Sequence, residues 1–455
     1  MGSAATVAVV LGTRPEIVKL AGVVRGLGDR GRVVYTGQHY DEALADGVFR
    51  GLRLAPPHTR LSGIGGAARG RQVGDMISAL SDLFAADPPA AVVVQGDTNT
   101  TSAGAQAAHY HGVPVVHVEA GLRSRDRAMP EEINRQVVGV LADAHCAPTA
   151  GAAANLRAEG VPDHRIHLTG NTVVEAVADS VPGPRQAAAL LRRYGLHADG
   201  YVLATLHRPE NTDDPRRLRV ILAELAGLDL PVVFPAHPRT RGCAARHGLS
   251  AELARLHVVD PVDHAAFLGL ALHARLLVSD SGGVQEECTV LKKPLIVVRN
   301  STERPEAVEA GFATLLRPGP EIGRLARALI ADTALPARLA ARPSPFGDGR
   351  AGERIVALTL ALADRKARTA GQLPGVARIP GGVRIPVAAE VPAVPGAAHP
   401  PQAGTGPRPG RRAFALPAPS IAGVLVAGAR RAPFAVPSPP TTPHLTGGTL
   451  CTVHP

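Results

Sequence analysis

Short apolar runs alternate with helix-length stretches along roughly the first 365 residues. Val7–Leu11, Val33–Thr36, Val92–Gln95, Val115–Val118 and Ile166–Leu168 are the candidate strands of the first half. Most are apolar at successive rather than alternate positions, the pattern of strands covered on both faces of a parallel sheet. The pattern pauses at Ser180-Val-Pro-Gly-Pro184, which reads as an interdomain linker. It restarts with Tyr201–Leu206, Val232–Pro235, Val258–Asp260, Leu276–Ser279 and Leu295–Val298. The expectation is α/β: two doubly wound, Rossmann-like units in series, residues 1–180 and 181–365, the second ending in a closing helix. Ligands of such sheets bind beyond the carboxyl ends of the strands. With two units, the cleft between them is the default site.

The character changes after about residue 366. Seventeen prolines fall between 374 and 455, among Ala, Gly and Arg without a period. Such a segment, 366–455, cannot form a packed core and is expected to be a disordered basic tail. It also accounts for the net charge of +10: from Lys366 onward there are nine Lys/Arg and one acid, against 40 and 38 in the rest. The folded part is therefore nearly neutral, which argues against a nucleic-acid partner. So does a 3% aromatic content without Trp, too little for a base-stacking platform. The apolar stretch Ile421–Ala429 is far short of the roughly 20 residues a membrane helix needs. The beginning of the chain lacks the pattern of a secretory signal. Cysteines at 146, 243, 288 and 451 share no short spacing, so neither a disulfide framework nor a zinc site is expected. A reduced cytoplasm fits.

Several strand ends carry chemistry. Gly12 leads into Thr13-Arg-Pro-Glu-Ile-Val-Lys19, where Pro15 suits a first helical turn and the amides of that turn could attract an anion beside Arg14 and Lys19. The segment is not GxGxxG, so no dinucleotide cofactor is indicated. Asp97 and Glu119 close two strands joined by one helical crossover. That connection makes the strands parallel and sets both acids on one sheet edge. Carboxylates sharing a partly desolvated cleft can acquire pKa values suited to proton transfer, although each acid taken alone reads more readily as a helix cap or turn residue, Asp97 ahead of Thr98 especially. In Pro130–Arg135, Glu131, Asn134 and Arg135 share one helical face, with Ile133, Val137, Val140 and Leu141 expected on the other. His207 ends a later strand, where it could meet a phosphate or move a proton; His237 repeats the arrangement on the next strand. Ser281-Gly282-Gly283 joins a strand to a helix, as a diphosphate cradle would. Glu287 follows one turn on, and Arg304 follows the last strand.

The stretches GTRPEIVKL, QGDTNTT, HVEAGLRS, PEEINR, LHRPEN, SDSGGVQEE and STERPEAVEAG, in this order over residues 6–365, resemble the non-hydrolysing UDP-N-acetylglucosamine 2-epimerases of bacteria. The resemblance implies a fold like that of the GT-B glycosyltransferases, a homodimer, no cofactor and no metal. It implies reversible conversion of UDP-GlcNAc to UDP-ManNAc through loss of UDP to 2-acetamidoglucal and re-addition. On it, Asp97, Glu119, Glu131 and His207 are the catalytic candidates. Arg14, Lys19, Phe267, Ser281, Gly282, Gly283, Glu287 and Arg304 would hold UDP. Gln38, Arg69, Arg208 and His237 would line a second, activating UDP-GlcNAc site. Val262 departs from the polar residue common near the base, and His237-Pro-Arg-Thr-Arg241 departs from the asparagine-containing stretch of regulated members. The competing readings are a UDP-sugar glycosyltransferase of the same fold, a hydrolysing epimerase releasing ManNAc and UDP, and a non-enzymatic nucleotide-sugar sensor.

Overall fold

The computed structural model describes residues 5–38 and 42–372. The tail expected from 366 lies outside the described residues after Gln372; up to that point the last helix, Ala351–Gln372, continues unbroken.

Two parallel sheets account for the strand-like runs. The first holds β1 (Val7–Leu11), β2 (Gly31–Tyr35), β3 (Thr59–Arg60), β4 (Ala91–Gln95), β5 (Val115–Val118), β6 (Ala144–Ala147) and β7 (Ile166–Leu168), in the order β3-β2-β1-β4-β5-β6-β7. The second holds β8 (Val202–Thr205), β9 (Val232–Pro235), β10 (His257–Val259), β11 (Leu276–Ser279), β12 (Leu295–Val298) and β13 (Ala313–Leu316), in the order β10-β9-β8-β11-β12-β13. β1, β4, β5, β11 and β12 are buried along their whole length, as sandwiching between helical layers requires. All ten expected strands are present. Three others escaped the pattern. β3 is a two-residue edge. β6 reads Ala-His-Cys-Ala and owes its strand state to burial between β5 and β7 rather than to β-branched residues. β13 is half polar in its surroundings, with Thr314 exposed.

In each sheet the strand order reverses once, between β1 and β4 and between β8 and β11. Crevices open at the carboxyl ends of such pairs. Gly12, Asp97, His207 and Ser281 all follow strands that flank these two points, so topology alone gathers residues distant in sequence.

The cores do not follow the chain order strictly. Val173 and Val177, in the helix Val173–Ser180, pack with Leu203, Leu277 and Val297 of the second sheet. Ala351, Ile355 and Ala363 of the last helix pack with Val7, Ile17 and Val33 of the first. The chain therefore passes between the lobes twice, and the two passages lie side by side. Asn171 N donates to Phe346 O at 2.8 Å. Gly170 (φ 82°) and Gly347 (φ 113°) face each other so closely that a Cβ on Gly347 would lie 3.1 Å from Gly170 Cα.

Candidate active site

The turn after β1 forms for a reason the sequence concealed. Glu16 is buried, and its Oε2 accepts from Gly12 N at 2.9 Å and Thr13 N at 2.7 Å. Its Oε1 accepts from Thr98 Oγ1 at 2.7 Å. Glu16 thus caps the start of the helix Arg14–Leu27 by reaching back to the Thr13 backbone, the carboxylate half of a capping box. The Gly12 and Thr13 amides, just ahead of the first helical turn, are satisfied by Glu16. What the turn offers is the side chain of Lys19, one turn on, while Arg14 stands exposed.

Lys19 reaches the centre between the lobes. Its Nζ lies 2.9 Å from Glu119 Oε2 and 2.9 Å from Glu286 Oε2. Glu119 follows β5 with φ at 64°, a strained backbone for a non-glycine residue. Its carboxylate is buried, accepts from Gln95 Nε2 and from Arg304 Nη2 at 3.2 Å, and faces Lys19. Arg304 in turn donates from Nε to Glu286 Oε1 at 2.7 Å and from Nη1 to Glu303. Two cations and three carboxylates from both lobes are thereby interleaved, which is how buried charge is tolerated. Burial opposes the charge on Lys19, but Glu119 and Glu286 outweigh it and lift its pKa above the ordinary lysine value. Burial likewise pushes Glu119 up, yet Lys19 and Arg304 hold its pKa below the usual carboxylate range. For Glu286 burial prevails over Arg304 and Lys19, and its pKa is raised.

Asp97 stands beside this cluster. Its carboxylate pairs with Arg135, and its backbone O accepts from Asn134 Nδ2 at 2.9 Å. Glu131 lies half-buried on the same helix, Pro130–Leu141, without an ion pair or hydrogen bond among the described residues. Its neighbour Glu132 is the buried one, accepting from Ser124 N, Arg125 N and Arg135. Of the apolar residues expected on the other face of this helix, Ile133, Val137 and Leu141 are partly buried, but Val140 is 79% exposed and Val138 takes the fully buried position. Behind Asp97, His117 Nε2 bonds Gly96 O at 2.8 Å. His117 lies opposite His145 on β6, both buried. Burial lowers their pKa values to about 4 and about 3.

On the second lobe, Ser281 is the N-cap of the helix Gly282–Leu291 and makes no side-chain capping bond. Unlike the first-lobe turn, no carboxylate among the described residues folds back onto these amides. Gly282 is needed for close approach: a Cβ there would sit 2.7 Å from Arg304 Nη1. Gly283 has ordinary room. Glu287 is buried, with His264 Nε2 2.9 Å from its Oε1. Phe267 packs partly buried against the second core. Arg208 donates from Nε to Asp280 O at 2.9 Å and lies 3.7 Å from Glu303. The His207 ring is 5.7 Å from that of His237. His237 caps the helix Pro238–Arg246 by accepting from Arg239 N at 3.2 Å. Gln38 is engaged in the first lobe, where its Oε1 accepts from Thr100 N at 2.8 Å and Thr100 Oγ1 at 2.9 Å. Arg69 begins the helix Arg69–Ala86 and is exposed.

Sequence reasoning overlooked Glu286, Glu303 and Asp280. All three adjoin residues that were named, but only packing shows that their carboxylates turn inward. One further link joins the lobes: Thr149 Oγ1, at the start of the helix Ala150–Ala158, bonds the Glu306 carboxylate.

With this geometry established, comparison with known proteins is informative. Residues 29–360 match the family model described as UDP-N-acetylglucosamine 2-epimerase. The UDP-N-acetylglucosamine 2-epimerase of Methanocaldococcus jannaschii is 38% identical over 360 residues, covering 76% of this chain and 97% of its own. The UDP-2,3-diacetamido-2,3-dideoxy-D-glucuronate 2-epimerase of Pseudomonas aeruginosa is 38% identical over 315 residues, covering 68% and 87%. The crystal structure of the UDP-GlcNAc 2-epimerase from Neisseria meningitidis, bound to UDP-GlcNAc, superposes with a TM-score of 0.72 at 32% identity, covering 78% of this chain and 100% of that one. Fold, motif order and family match agree, and the chain belongs to the UDP-N-acetylglucosamine 2-epimerase family.

Proposed function

We propose that this enzyme interconverts UDP-N-acetylglucosamine and UDP-N-acetylmannosamine without hydrolysis, by eliminating UDP to give 2-acetamidoglucal and adding it back with the C2 proton on the other face. The observation that carries the reading is the meeting of Glu119, Lys19, Arg304 and Glu286 between the lobes, with Asp97 beside them. The C2 hydrogen is weakly acidic, so departure of the diphosphate must be assisted. Lys19 and Arg304 are the cations suited to that task, with the Ser281–Gly283 amides alongside. A diphosphate drawn to them competes with Glu119 for both. Glu119, relieved of its partners, would return toward an ordinary or raised pKa, where a carboxylate can exchange a proton. Asp97, Glu119 and Glu131 are the groups proposed to handle the C2 proton, and His207 the group on the phosphate side. Phe267, Glu287 and Arg14 would complete the grip on UDP; Gln38, Arg69, Arg208 and His237 would adjoin an activating second nucleotide sugar.

The test is incubation with UDP-GlcNAc alone in heavy water, followed by NMR. The reading expects deuterium at C2 and UDP-ManNAc, with no free ManNAc. Absence of exchange would remove it, and free ManNAc with UDP would establish the hydrolysing alternative. Running UDP-2,3-diacetamido-2,3-dideoxyglucuronate in parallel decides whether this chain shares the sugar named for the Pseudomonas relative.

A further inference from the structure

Asp280 has no part in the scheme above, yet it occupies the switch point of the second sheet. It follows β11 and is fully buried. Its carboxylate accepts from the backbone N–H of His207 at 3.1 and 3.2 Å, from that of Arg208 at 3.0 Å and from Asn211 Nδ2 at 3.0 Å. The same Oδ1 lies 3.4 Å from His207 Nδ1. The carboxylate that fixes the His207 backbone therefore also faces the nearer nitrogen of its ring. The ring itself is 39% exposed.

The charges around this ring are unequal. Arg208 bears on it from its own turn, Arg239 and His237 from the helix Pro238–Arg246 and its cap, and Arg299 from the end of β12. Arg14, from the first lobe, bears on His237. Against these cations, Asp280 is the largest charge acting on His207. A neutral imidazole has one N–H to place, and a carboxylate can only accept it. We infer that Asp280 is a positioning residue for His207: it holds the ring in the tautomer with the proton on Nδ1 and leaves Nε2 free of a proton for the cleft. Asn211 belongs to the same arrangement, because its Nδ2 bridges Asp280 and Val298 O at 2.8 Å. The inference rests on the reading that His207 acts on the nucleotide sugar.

The experiment pairs kinetics with spectroscopy. Asp280→Asn keeps an oxygen for the backbone donors but can no longer impose the tautomer. Its kcat for C2 exchange should fall on the order of 100-fold, the size of a general acid–base contribution, with KM changed less than about threefold. The limb of the pH–rate profile set by His207 should move to lower pH, since an anion beside the ring has gone. His207→Asn combined with Asp280→Asn should be no slower than His207→Asn alone, because Asp280 acts through the ring. An unmoved pH limb, or losses that multiply in the double variant, would overturn the inference. Should Asp280→Asn not fold, 15N-histidine NMR of the wild-type protein decides: a protonated Nδ1 in neutral His207 supports it and a protonated Nε2 refutes it. A wild-type protein inert toward every UDP-sugar would count against the epimerase reading only, and the tautomer would then decide this inference alone.

Discussion

Glu286→Gln probes the charged centre most directly. Glu286 is fully buried; its carboxylate meets Lys19 Nζ at 2.9 Å on one oxygen, and Arg304 Nε at 2.7 Å and Asn171 Nδ2 at 3.2 Å on the other. Glutamine keeps the shape but supplies one acceptor. Its amide nitrogen must face either Lys19 or the Arg304 and Asn171 donors. Removing one partner of a buried ion pair costs roughly 3–5 kcal/mol. At least one hydrogen bond survives, so a loss of about 3 kcal/mol is expected in urea unfolding. The effect on anions runs the other way. At an effective dielectric constant of about 20, a unit charge about 6 Å away is worth about 3 kcal/mol. Allowing half for relaxation, UDP should bind about tenfold more tightly, as calorimetry would read. The raised pKa of Glu286 makes the test discriminating. If burial kept this carboxyl protonated, glutamine would replace it at little cost. A variant within about 0.5 kcal/mol of wild type, or one that binds UDP less tightly, would refute the argument.

Gly282→Ala should cost about 1–3 kcal/mol and weaken UDP binding, because its Cβ would lie 2.7 Å from an Arg304 that carboxylates already pin. Gly283→Ala, whose nearest neighbours would be 3.8 Å away, should be neutral or stabilising in the same melts by up to about 1 kcal/mol. Glu16→Ala should lose about 2 kcal/mol in denaturant unfolding, since Gly12 N, Thr13 N and Thr98 Oγ1 lose their acceptor; an unchanged midpoint would deny the capping role. Stability should fall with pH below 6.5. The folded pKa values of His117 and His145 are lowered, to about 4 and about 3, so the unfolded chain takes up protons first and the stabilisation present above 6.5 drains away toward those values. At pH 5.5 the loss is roughly 1.4 kcal/mol for each histidine. Equal denaturation midpoints at pH 7.5 and 5.5 would contradict their neutral burial.

The family was legible in the chain because its motifs are contiguous. Seven stretches, each at the end of a strand or the start of a helix, could be read without knowing how the strands pair. Asp97, Glu119, Lys19 and Arg304 were named that way, and the structure brings Lys19, Glu119 and Arg304 into direct contact with Asp97 next to them. Where a motif holds two adjacent acids, the sequence does not show which of them meets which partner. Glu286 and Glu287 are neighbours, yet one meets Lys19 and Arg304 and the other meets His264. Glu132 is buried in the fold while Glu131 stays half-buried without a partner among the described residues. Glu16, unremarked inside its motif, holds the Gly12 and Thr13 amides ahead of the first helix.

The sequence by itself determined the periodic pattern of buried strands, hence two parallel sheets, and the order of the residues at their ends. Those are local properties, carried by apolar runs, by prolines and by glycines that few other residues can replace. The tertiary structure decided which of two successive helical residues faces inward, because one step along a helix turns a side chain by about 100° and only the surrounding packed elements make one direction favourable. It also decided that the last helix returns to the first core and that Asp280 meets His207, 73 residues away. Such pairings depend on where strands lie across a sheet, and no local pattern in a single chain encodes that order.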